Sequence, residues 1–193
     1  YWRPMISDPA QREDDLCGQT MLIIGLGEIG SRLAKLAKIF GMRVLGVKQD
    51  ISRHDGIADE VHAPSELPRL FSHADVVVLC CPLTSTTRNL IDQSAFSAMK
   101  SSGQLVNVAR GGCVNETALA NALTKGQIAS AAIDHFYDEP LPVDSPFWSM
   151  ENLVITPHSA GETRKYEDNV IDILIQNLER LWAGNKELVN QIL

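Results

Sequence analysis

Residues 20–50 read TMLIIGLGEIGSRLAKLAKIFGMRVLGVKQD. The first five are an apolar run of strand length. They lead directly into Gly25-x-Gly27-x-x-Gly30, and an amphipathic, helix-like stretch follows at once. Each glycine has its own physical task. Gly25 permits a tight turn, Gly27 carries no side chain to block a pyrophosphate, and Gly30 lets the helix pack closely on the strand. The N–H groups at the start of that helix, and its positive end, would face the phosphates. A glycine turn alone could serve packing only. Here a second apolar run, RVLGV at 43–47, follows at the spacing of a strand–helix–strand unit, which favours a dinucleotide-binding turn.

The rest of the chain extends that unit. Strands are expected at Thr20–Gly25, Arg43–Val47, Glu60–His62, Val76–Cys80, Gln104–Val108, Ser130–Asp134 and Leu153–Ile155. Helices are expected at Ile29–Phe40, Ser65–Phe71, Asp92–Met99, Asn115–Lys125 and from about Gly161 to Ala183. The strands are short and almost continuously apolar, as strands buried on both faces of a parallel sheet are. The fold class is therefore α/β, a doubly wound parallel sheet of the Rossmann type, with right-handed crossovers. Residues 18–184 would form this domain, 1–17 a polar lead-in and 185–193 a tail. The loop Phe136–Pro146, with three prolines, is longer than a simple connection and is a candidate functional loop.

Composition narrows the partners. The chain has 193 residues, 45% of them hydrophobic, and a formal net charge of -7, so it lacks a broad basic footprint for nucleic acid. No apolar run reaches the ~18 residues that would span a membrane. Cys17, Cys80, Cys81 and Cys113 form no CxxC pair and His is not clustered with them, so no metal site is expected. Unpaired cysteines of this kind favour a cytoplasmic protein.

In open parallel sheets ligands sit at the carboxyl ends of the strands. Three chemically capable side chains follow strands there: Arg110 after LVNV, Glu139 in the loop after AAID, and His158 after LVI. Each alone could be a surface charge, a loop acid or a strand cap. Together they suit a 2-oxo acid. A histidine titrates near neutrality and can give or take the proton. A carboxylate beside it orients it and favours its charged form. The planar fork of an arginine can hold the substrate's carboxylate and carbonyl oxygens, while a nicotinamide supplies the hydride.

The stretches GLGEIG, CPLTSTTRNLI, LVNVARGG, AIDHFYDEPLP and ITPHSAGET, in this order, closely resemble the D-isomer-specific 2-hydroxyacid dehydrogenase family, from about Leu16 to Leu193. The resemblance implies that His158 is the acid/base, Glu139 its partner and Arg110 the substrate anchor. It also implies cofactor contacts at Glu28, Ile29, Cys81, Pro82, Thr87 and the Val108–Ala109 backbone, with Asp134 holding the nicotinamide carboxamide. Read without the resemblance, Asp134 would be a turn cap and Cys81 a small filler. Formate dehydrogenases of the superfamily put glutamine beside the histidine, so Glu139 favours keto acid reduction. The strand VLGV followed by a basic residue resembles the glyoxylate/hydroxypyruvate reductase branch.

The resemblance also implies a substrate domain that this chain lacks. The sequence is therefore expected to be a piece of a longer enzyme, inactive alone, whose tail returns toward that domain. A homodimer is expected because family members pair through the cofactor domain. A non-catalytic, dinucleotide-sensing corepressor of the same fold is the alternative function.

Cofactor choice turns on Lys48. An NAD site has an acid at the end of the second strand to accept hydrogen bonds from the ribose hydroxyls. Lys48 cannot accept them, and its charge suits a 2′-phosphate instead. Gln49 follows it, and Arg53 could add a forked contact. NADP is expected over NAD, unless Lys48 and Arg53 simply point into water and the choice is loose.

Overall fold

The computed structural model describes residues 5–8, 12, 14–52 and 56–191. It divides into two compact units, residues 1–157 and 158–193.

The first unit is built on one sheet of seven parallel strands. These are β1 (Thr20–Ile24), β2 (Arg43–Val47), β3 (Glu60–His62), β4 (Val76–Leu79), β5 (Gln104–Asn107), β6 (Ser130–Ile133) and β7 (Leu153–Ile155). Their order across the sheet is β3-β2-β1-β4-β5-β6-β7. The chain moves outward from β1 in one direction and then restarts at β4 in the other. That reversal makes the crevice beyond β1 and β4 the ligand position of a doubly wound sheet.

The helices of this unit are α1 (Glu28–Ile39), α2 (Leu67–Leu70), α3 (Gln93–Ala98) and α4 (Glu116–Thr124). Side-chain alternation along β1 divides the core. Ile23 joins Ala34 and Ala37 of α1 in one cluster. Leu22 and Ile24 join Leu67 and Leu70 of α2, Phe96 of α3 and Leu119 of α4 in the other. The two faces of the sheet are thus covered by different helices, as the apolar strands require. Helix α2 is shorter than the 65–71 expected and is flanked by 3-10 turns at Pro64–Glu66 and Phe71–His73. Pro64 and Pro68, each near the start of a turn, lack the N–H that a continuous helix would use.

At the opposite, amino edge, Asp75 ties three strands. Its carboxylate accepts the Thr20 N–H at 2.8 Å and the Lys100 ammonium at 2.6 Å, and its backbone oxygen accepts the Gln104 N–H at 2.9 Å.

Among the described residues the second unit contains one helix, α5 (Tyr166–Trp182). It starts later than the Gly161 expected, because residues 159–165 turn first: Glu162 N–H reaches the Ser159 oxygen and Tyr166 N–H the Thr163 oxygen. Its apolar residues Ile171, Leu174, Ile175, Leu178 and Leu181 read in sequence as core or domain-packing positions, yet only Leu178 is half-buried and the other four are exposed.

Candidate functional site

Strand register aligns one row of residues at the carboxyl edge. Ile24 pairs with both Val47 and Leu79, Leu79 with Asn107, Asn107 with Ile133, and Ile133 with Ile155. The next residue along each strand is Gly25, Lys48, Cys80, Val108, Asp134 and Thr156. Six loops therefore begin on one line, although their members are far apart in sequence.

The glycine turn has the geometry that its sequence predicts. Gly25 has φ +102°, and a Cβ there would lie 2.8 Å from the Cys80 and Cys81 backbone. A Cβ on Gly30 would lie 2.0 Å from the Gly25 oxygen, whereas one on Gly27 would meet nothing within 4 Å. So Gly25 and Gly30 are fixed by packing, while Gly27 leaves open space at the N-terminus of α1. No side chain caps that helix end. Glu28 and Ile29 are exposed beside it.

Lys48 is half-buried beyond β2, and its backbone N–H donates to the His62 oxygen at 3.2 Å. Gln49 is exposed. Arg53 lies outside the described residues.

Past β4, Cys81 is buried and Pro82 exposed. Thr87 folds the following loop back on itself: its hydroxyl donates to the Pro82 oxygen at 2.6 Å and accepts the Thr84 N–H at 2.7 Å. The neighbouring Cys113 thiol, together with burial, raises the Cys81 titration, while Cys81 and the Thr87 hydroxyl lower Cys113 to about 7. Cys81 is thus held as a neutral thiol.

Past β5, Asn107 organises the loop that carries Arg110. Asn107 is fully buried; its side-chain oxygen accepts the Ala109 N–H at 3.0 Å and its amide donates to the Arg110 oxygen at 3.0 Å. Ala109 is buried, Val108 half-buried and Arg110 exposed. The Arg110 guanidinium donates to the Ala109 oxygen at 2.6 Å. Gly111 then packs directly on the next loop, since a Cβ on it would lie 2.2 Å from the Phe136 carbonyl carbon. This contact brings the arginine loop against the loop of Glu139.

That second loop is tied down at several points. Asp134 is 4% exposed, and its Oδ1 accepts the Thr156 hydroxyl at 2.5 Å. Glu139 Oε1 accepts the Phe136 N–H at 3.0 Å and lies 3.6 Å from His135 Nδ1. Tyr137 bonds to Asn89 through its hydroxyl and donates its N–H to Glu116 at 2.6 Å. Burial, with Asp138 nearby, raises the Glu116 carboxyl above the ordinary value despite the bond from Tyr137.

His158 opens the second unit, three residues past β7 in sequence. It is exposed, with φ 55°, in the left-handed region that a histidine seldom occupies.

Reading the sequence alone missed Asn107, His135, Glu116 and Thr156. The signal for Asn107 was a polar residue inside the otherwise apolar LVNV. The signal for His135 was a histidine directly after a strand-end acid.

Comparison with known proteins adds a family. Residues 2–160 match the model of the D-isomer specific 2-hydroxyacid dehydrogenase NAD binding domain. The chain is 40% identical over 176 residues to glyoxylate/hydroxypyruvate reductase B of Enterobacter sp., covering 90% of this chain and 53% of that protein. It is 38% identical over 193 residues to a glyoxylate reductase of Aeropyrum pernix, covering 98% and 56%. A D-isomer specific 2-hydroxyacid dehydrogenase from Xanthobacter autotrophicus, solved in complex with NADPH and MES, superposes with a TM-score of 0.85 at 30% identity, covering 99% and 75%. The chain spans about half the length of the curated relatives it matches. By this match, and by the parallel sheet and glycine turn that agree with it, the chain belongs to the D-isomer specific 2-hydroxyacid dehydrogenases, in their NAD-binding domain.

Proposed function

We infer that this chain is the cofactor part of an enzyme that reduces a small 2-oxo acid to a D-2-hydroxy acid with NADP(H). The observation that carries the reading is the packing of Gly111 on Phe136. It joins the Arg110 loop to the Glu139 loop on the same sheet edge as the glycine turn. The relatives named above favour a reductase over the corepressor alternative, since each bears the name of a reductase or dehydrogenase.

In this reading the glycine turn and the N-terminus of α1 hold the pyrophosphate, and Asp134 holds the nicotinamide carboxamide. The nicotinamide, when bound, supplies the hydride. Arg110 grips the substrate carboxylate with its fork. His158 gives its proton to the carbonyl oxygen as that oxygen gains charge, and Glu139 orients the imidazole and favours its protonated form. Lys48 meets the 2′-phosphate, which gives NADPH its advantage over NADH. The NADPH complex of the Xanthobacter relative supports that choice. Among the described residues no helix is long and apolar enough to cross a membrane. A cytoplasmic homodimer, with residues 18–184 as its dinucleotide-binding domain, completes the proposal.

The test is turnover of a panel of 2-oxo acids, glyoxylate and hydroxypyruvate included, by the full-length gene product with NADPH. Reduction of at least one, abolished by removal of Arg110, is expected. No reduction of any, with cofactor bound, contradicts the reading.

A further inference from the structure

The reaction as proposed makes no use of His135. This histidine directly follows β6 and is 5% exposed. Its two ring nitrogens face two different acids. Nε2 lies 3.4 Å from Asp134 Oδ2, and Nδ1 lies 3.6 Å from Glu139 Oε1. Asp134 is buried as well, and its other oxygen accepts the Thr156 hydroxyl. Glu139 Oε1 also accepts the Phe136 N–H, so the loop itself fixes that oxygen beside the ring.

Charge points to the state of the ring. Both separations are within ion-pair reach, and an opposite charge within about 4–6 Å favours the charged form of an imidazole. Asp134 is buried, so its attraction to the ring is stronger than it would be in water, while Glu139 is exposed and its share is partly screened.

The two acids have different partners in the proposed reaction. Asp134 faces the nicotinamide, and Glu139 serves the acid/base histidine. We propose that His135 is a positioning residue that bridges Asp134 and Glu139 as a cation and thereby sets the balance between oxidised and reduced cofactor. This inference rests on the reading of the carboxyl edge as the nicotinamide site. The oxidised nicotinamide ring carries a positive charge and the reduced ring carries none. Two bare carboxylates beside the ring would favour the oxidised form and hold back the hydride donor. A cation between them cancels part of their field, so the reduced cofactor binds on more equal terms, as reduction requires.

Two measurements on the 193-residue chain test this. The first is nitrogen-15 NMR of the histidine rings near neutral pH, with His135→Gln used to assign the signal. The expected spectrum shows His135 protonated on both ring nitrogens, and a neutral tautomer overturns the bridge. The second is the pair of dissociation constants for NADPH and NADP⁺. In His135→Gln the ratio of the reduced to the oxidised constant should rise about three- to tenfold, the size expected for one uncancelled, partly screened charge nearby. Adding Glu139→Gln should bring the ratio back toward the wild type, because a carboxylate leaves with the cation. An unchanged ratio, with both forms still bound, overturns the proposal while leaving the cofactor site intact. A wild-type chain that binds neither form overturns the cofactor site and the proposed balance together.

Discussion

A Cβ on Gly30 would lie 2.0 Å from the carbonyl oxygen of Gly25, so the first and last glycines of the turn are in backbone contact. Six residues of sequence are closed into one turn by this approach. Helix propensity alone would favour alanine in α1 by about 1 kcal/mol, but the overlap far exceeds that gain. Gly30→Ala should therefore destabilise the chain by about 1–3 kcal/mol or more, as overpacking does. Gly27→Ala should leave stability within about 0.5 kcal/mol, since the added methyl meets nothing. It should still weaken dinucleotide binding. Denaturant melts with and without cofactor separate the two effects, and equal losses of stability would contradict them.

Asn107 holds the Arg110 loop from below with its side-chain amide. Asn107→Ala would strand the buried Ala109 N–H and take one of two donors from the Arg110 oxygen, which keeps the Cys113 N–H at 3.1 Å. Leaving a buried N–H unpaired costs about 1–3 kcal/mol. The loss should appear in urea melts. In the full-length gene product the Michaelis constant for the 2-oxo acid should rise as well, because Arg110 would no longer be fixed. A destabilised variant with an unaltered Michaelis constant would limit Asn107 to the fold.

Glu116 predicts a pH dependence. Its carboxyl is raised above the ordinary value, chiefly by burial. The folded state thus holds this proton more tightly than the unfolded state. Linkage then makes stability highest below the unfolded value, and it falls as pH rises toward the folded value. Glu116→Gln removes that loss and keeps an oxygen for the Tyr137 N–H. Its melting temperature should gain on the wild type as pH rises from mildly acidic to neutral. A constant difference across that range would contradict the burial argument.

His158→Ala, in the full-length gene product, should lower kcat by about 10²–10⁴-fold, the worth of a positioned proton transfer. Glu139→Gln should move the pH optimum for reduction downward, because the histidine loses the partner that favours its charged form. Rates near wild type in His158→Ala would end its assignment as the acid/base.

Central strands such as β4 were legible in the sequence because parallel strands buried on both faces leave uninterrupted apolar runs, whereas β3 is a half-buried edge strand with a single apolar residue, Val61. VVVLCC and AAID need no tertiary knowledge to be read. The start of α5 was less legible, because the turn bonds of residues 159–166 compete with helix in a stretch of similar composition. Asn107 was hidden by its place within an apolar strand, since only strand register reveals that it ends at the carboxyl edge. His135 was missed for another reason. Its link to Glu139 depends on how residues 136–139 fold back, and that turn is set by the Phe136 N–H and by the Tyr137 anchors on Glu116 and Asn89. Arg53 belongs to the cofactor expectation but lies outside the described residues.

The central claim is that the carboxyl edge between β1 and β4 holds a nicotinamide dinucleotide, with Lys48 at its 2′-phosphate. Titrating the chain with NADPH and with NADH, at low and high salt, tests this most directly. Saturable binding of both is expected, with NADPH about tenfold tighter, equivalent to ~1–2 kcal/mol. The preference should shrink as salt rises, because an exposed charge contact is screened. Lys48→Asp should reverse it. Equal affinities, or tighter NADH, would contradict the role of Lys48, and no saturable binding of either would contradict the site itself.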